Sequence, residues 1–125
     1  MKLYEMNKAT RMFRRFSTAD IKHLMPNAEL DTISNTHLRF RDPKYPKVRI
    51  DVKVEGDTLL VLVRAPSGSK PLMNVTDKDE LFGSEIIRKM SQFVRHEDGS
   101  IFDHKFLRGD RKSADYETIF KVEYR

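Results

Sequence analysis

Lys47-Val48-Arg49-Ile50-Asp51-Val52-Lys53-Val54 alternates charged and apolar residues without a break. Side chains of an extended chain point to opposite faces in turn. This is therefore a strand with Val48, Ile50, Val52 and Val54 against a core and Lys47, Arg49, Asp51 and Lys53 toward water. Glu55-Gly56-Asp57 follows as a turn, and Leu59 to Val63 is an unbroken apolar run, expected to be a strand buried on both faces. The two segments predict an antiparallel hairpin, and the rest of the fold is read outward from it.

Upstream, Leu3 to Phe16 places Leu3, Met6, Ala9, Met12, Phe13 and Phe16 on one face of a helix, with Lys8, Arg11, Arg14 and Arg15 around Tyr4 on the other. Ser17 or Thr18 is expected to cap a second short helix, with Asp20 in its first turn and Ile21, Leu24 and Met25 on its apolar face, ending at Pro26. Residues 27 to 35 read as a polar connector. His37 to Arg41 alternates as a strand, and Asp42-Pro43-Lys44-Tyr45-Pro46 is the turn into the hairpin.

Downstream, 65 to 71 is the most loop-like stretch. Thr76 and Asp79 form a capping-box variant before a helix with Phe82, Ile86, Met90 and Phe93 as its stripe, widened by Leu81, Ile87 and Val94 and interrupted or restarted at Gly83-Ser84. Ile101 to Leu107 and the alternation of Tyr116, Thr118, Phe120, Val122 and Tyr124 supply two more strands, with Arg108 to Ser113 as the charged turn between them. The expected fold is α+β in the order ααβββαββ. A mainly antiparallel sheet of about five strands packs with two N-terminal helices and one longer central helix, in a single domain over 1–125.

At 125 residues, 38% hydrophobic and 34% charged, with eight Phe and six Met, the chain has the material for one core. It contains no cysteine, which removes disulfides, thiolate metal sites and cysteine nucleophiles and fits an intracellular, cytoplasmic setting. No apolar run approaches the roughly 20 residues of a membrane span. Met1 to Phe16 is Arg-rich in the manner of a transit peptide, but Glu5 and the folded pattern that follows assign it to the domain. Most of the formal net charge of +5 sits in residues 1 to 24, whereas 77 to 98 is acidic. A basic end facing an acidic one points to an anionic partner and permits head-to-tail contact between copies.

Lys8, Arg11, Arg14 and Arg15 on one helix can follow a row of phosphates, and Arg39, Arg41, Arg49 and Lys53, with His37 and Lys47, share the polar parity of two adjacent strands. Tyr4 and Tyr45 are candidates for base stacking. The succession helix, three antiparallel strands, helix over 17 to 96 resembles the double-stranded RNA-binding domain in order alone. That family places a lysine cluster at the start of its last helix, and here Thr76-Asp77-Lys78-Asp79-Glu80 stands there instead, so no binding residue carries across.

Asp51-Val52-Lys53 matches the acidic-x-Lys pattern of PD-(D/E)xK metal-dependent nucleases, with Asp42 as the other carboxylate. His96, Glu97, Asp98, Asp103 and His104 could meet at a metal, but without a ligand spacing they read as a polar connector. Ser67-Gly68-Ser69-Lys70 lacks the spacing of a phosphate loop, and Arg108-Gly109-Asp110 reads as a turn. The expectation is a non-enzymatic protein that binds a nucleic-acid backbone, DNA or RNA, through the basic N-terminal helix, with no cofactor, metal or membrane. The alternatives are a small adaptor or inhibitor of a partner protein, of the kind bacteriophages encode, and the metal-dependent nuclease.

Overall fold

The computed structural model describes residues 7–66, 77–97, 99–106 and 115–124. The chain is α+β. Helix α1 (Lys8–Arg15) passes through a π-helical turn (Phe16–Asp20) into α2 (Ile21–Leu24). Strands β1 (Glu29–Ser34), β2 (His37–Asp42), β3 (Tyr45–Glu55) and β4 (Thr58–Pro66) follow, then α3 (Lys78–His96), β5 (Ser100–Phe106) and β6 (Asp115–Glu123). The strands form one antiparallel sheet in the order β1-β2-β3-β4-β6-β5, so β6 inserts between β4 and β5.

The hairpin of β3 and β4 is the centre of the sheet. It turns at Gly56, whose φ of 58° is the left-handed conformation that a two-residue connection needs, between the paired Glu55 and Thr58. Val48, Ile50, Val52, Leu59, Val61 and Val63 all face the helices and are almost completely buried, as are Phe120 and Val122 of β6. Leu60 and Leu62 are only half-buried. The expectation that β4 is covered on both faces therefore fails, because α1 and α3 pack on the same side of the sheet and no described helix lies on the other, which is called the open face below.

Helix α1 lies flush on the core through Ala9, Met12, Phe13 and Phe16. Its start is tied to the central hairpin by Asn7, whose Oδ1 accepts from the Thr10 amide and whose Nδ2 donates to the Gly56 carbonyl, both at 2.8 Å. No second helix begins at Ser17 or Thr18. The Thr18 hydroxyl instead donates back to the Arg14 carbonyl at 2.9 Å, inside a continuous helical path. An uninterrupted α-helix would carry Asp20 onto the core after Phe16. The π-helical turn brings Ile21 there instead, so that Ile21, Leu24 and Met25 continue the buried stripe.

Helix α3 runs unbroken through Gly83. A Cβ at Gly83 would stand 2.4 Å from the Ala65 Cβ, so the missing side chain is what lets α3 settle onto β4. Its buried seam is accordingly Gly83, Ile86, Met90 and Val94, with Phe82 and Phe93 at the margin and Leu81 exposed. Asp77 caps it, accepting from the amides of Asp79 and Glu80. Thr76, the expected cap, lies outside the described residues, as do Tyr4, most of the 65–71 loop, Asp98 and the 108–113 turn.

Residues 29 to 34, within the expected connector, form a sixth strand at the sheet edge. Every residue of β1 is exposed, including Leu30 and Ile33, and its pairing with β2 slips between Thr32 and Ser34. With four strands between α2 and α3 and two after it, the chain departs from the order of the double-stranded RNA-binding domain. Among the described residues, no helix is long and apolar enough to cross a membrane.

Candidate nucleic-acid interface

Because alternate residues of β2, β3, β4 and β6 face the helices, the remaining ones collect on the side of the sheet away from them. The register sets them in rows. Arg41 of β2 stands opposite Arg49 of β3, which stands opposite Arg64 of β4. The next row is Arg39, Asp51 and Leu62, and the next is His37, Lys53 and Leu60. Neighbouring strands are about 4.8 Å apart, so three guanidinium-bearing side chains rise side by side within roughly 10 Å.

Asp51 is the pivot of this surface. It is 4% exposed although it lies on the open face, because three basic side chains close over it. His37 Nε2 is 2.7 Å from Oδ1, Arg39 Nε donates to Oδ1 at 3.0 Å, and Arg49 Nε donates to Oδ2 at 2.9 Å. Burial pushes the Asp51 carboxyl up, but hydrogen bonds from His37 and Arg39 and the charges of Arg49 and Arg39 outweigh it and leave it below its ordinary value. Among the described residues both arginines are held at Nε alone, so the Nη groups at their tips keep their donors for water or a ligand.

Like charges set directly opposite one another across a sheet are destabilising. In the Arg41–Arg49–Arg64 row that repulsion is only partly offset. Arg41 pairs with Asp31 of the edge strand and Arg49 with Asp51, whereas Arg64 stands opposite Glu117 of β6 without a direct ion pair to a described residue.

The expected binding residues fall into two sets. Arg39, Arg41, Arg49 and Lys53 share the open face. Lys8, Arg11, Arg14 and Arg15 lie on the exposed side of α1, across the sheet from them. Lys8 Nζ sits 5.0 Å from the centre of the Tyr124 ring, and Arg15 Nε is 3.7 Å from Asp20 Oδ2. Arg11 and Arg14 have no such partner among the described residues. Tyr45 is not free to stack on a base from the open face, because its ring lies on Phe82 on the helix side, with centroids 3.9 Å apart.

The nuclease reading loses its geometry. Asp42 is buried on the helix side, where it accepts from the Lys44 amide at 2.9 Å, and Asp51 is on the opposite face, already neutralised by its arginines. Among the described residues, no three metal-ligating side chains come together. The His96-to-His104 cluster lies partly outside those residues.

Arg64, Leu60 and Leu62 belong to the open face and do not stand out as site residues in the sequence. The signal for them is the hairpin itself, since pairing outward from Glu55 and Thr58 brings Arg64 onto Arg49. No protein-family model, curated protein or solved structure matches this chain.

Proposed function

We propose that this protein is a non-enzymatic, cytoplasmic nucleic-acid-binding protein that grips the phosphate backbone with the open face of its sheet. The observation that carries the reading is the row Arg41–Arg49–Arg64. A fold that sets three like charges opposite each other accepts a cost in stability, and such departures from local rules gather at functional sites. Phosphates repay that cost, because each one neutralised releases condensed counterions and each guanidinium offers a planar fork of donors. The cysteine-free composition supports the location. The basic side of α1 is a second, separate anionic contact, since one straight strand cannot reach both sides of the sheet.

The test is fluorescence anisotropy with labelled DNA and RNA at two salt concentrations, comparing the wild type with Arg49→Glu/Arg64→Glu and with Arg11→Glu/Arg14→Glu. Salt-sensitive binding lost chiefly in the sheet variant supports this face, and loss chiefly in the helix variant moves the site to α1. Absence of binding to any nucleic acid overturns the reading in favour of a protein adaptor. The exposed Leu30 and Ile33 on an edge strand are the feature such an adaptor would use, by adding a partner's strand.

A further inference from the structure

We infer that the nucleic acid taken by the open sheet face is single-stranded. This rests on the backbone-binding reading and narrows it. Six strands at about 4.8 Å spacing make a face roughly 25 Å across, twice the width of a DNA major groove of about 12 Å, so this face as a whole does not fit a groove of an undistorted duplex. Against the outside of a duplex it would meet phosphates only.

The face also offers more than charge. Beside the arginine band, Leu60 and Leu62 of β4 and Ile119 of β6 are half-buried on the same side, with Leu62 and Ile119 directly opposite each other. A duplex keeps its bases stacked inside and has nothing to lay on such a strip. A single strand can splay its bases onto it while its phosphates stay on the arginines. Arg39 and Arg49 add to this platform. Asp51 fixes each guanidinium at Nε, and a guanidinium plane held in place is a surface on which a base can stack. The contacts are to base faces and the backbone, so binding is tolerant of sequence.

The experiment uses one mixed-sequence 20-nucleotide probe, as DNA and as RNA, single-stranded and annealed to its complement. The expected result is at least tenfold tighter binding of the single strand, with a log–log salt slope of about −2, as for about three phosphates on a single strand. Leu60→Ser/Leu62→Ser should weaken single-strand binding about tenfold and leave the salt slope unchanged. Leu62→Thr, which keeps a strand-compatible side chain, should weaken it severalfold if the double variant folds poorly. Equal or tighter duplex binding overturns the inference and leaves the backbone reading standing, and leucine variants that bind as the wild type overturn it too. Failure to bind either form overturns both.

Discussion

Arg39 donates from Nε to Asp51 Oδ1 at 3.0 Å, directly across from it in the β2–β3 register. With Arg49 two residues earlier on the same strand, this makes Asp51 the anchor that orients two guanidiniums. Asp51→Asn removes the shared counter-charge and leaves both arginines facing an amide. Loss of about 2 kcal/mol is expected in urea unfolding at pH 7, less than the 3–5 kcal/mol for a fully buried pair because each arginine is 28% exposed.

The same carboxylate sets an acid limit. Its folded-state value lies below the ordinary 3.8, so its contribution to stability is complete above about pH 4 and drains away as pH falls through the lowered value. Urea unfolding at intervals from pH 6 to pH 2 should show a steeper fall below pH 4 in the wild type than in Asp51→Asn.

Gly83→Ala should destabilise the protein even though alanine is the better helix former by about 1 kcal/mol. The new methyl would fall 2.4 Å from the Ala65 Cβ, and prying α3 from β4 costs about 1–3 kcal/mol. Ala65→Gly in the same chain makes room, so thermal unfolding of the two single variants and the double variant should reveal a favourable coupling.

On α1, stability and binding separate by face. Phe16 is fully buried, with its ring edge-to-face on Phe93 at 5.5 Å, and Phe16→Ala should cost about 3–5 kcal/mol. Arg14→Glu on the exposed side should stay within about 0.5 kcal/mol of the wild type in the same denaturation assay.

The elements legible in the sequence are those with a repeating apolar period. Val48 to Val54 and Ile86 to Val94 bury a regular stripe, and the pattern of that stripe is the element. Strand β1 has no such pattern, because an edge strand exposed on both faces is held by backbone hydrogen bonds to β2, and those leave no trace in side-chain polarity. Placement of β6 between β4 and β5 is likewise a long-range pairing that local periodicity does not encode. For the candidate site, each cation is visible as a cation, and strand parity groups Arg39, Arg41, Arg49 and Lys53. The burial of Asp51 is not legible, because it arises from His37 and Arg39 folding over it from a second strand. Nor does composition reveal that the sheet stands between Arg14 and Arg49.

The π-helical turn at Phe16–Asp20 gives the N-terminal helix one residue of slack. Within it the Ser17 hydroxyl is buried with no hydrogen-bond partner among the described residues. Removing Ser17 would put Phe16 and Ile21 one regular turn apart, with their side chains still aimed at the sheet, and would delete an unsatisfied hydroxyl at the same time. A deletion within Lys8–Arg15 would instead swing the apolar side chains on its two sides about 100° out of phase. This helix can therefore change length at one point without losing its seat on the sheet.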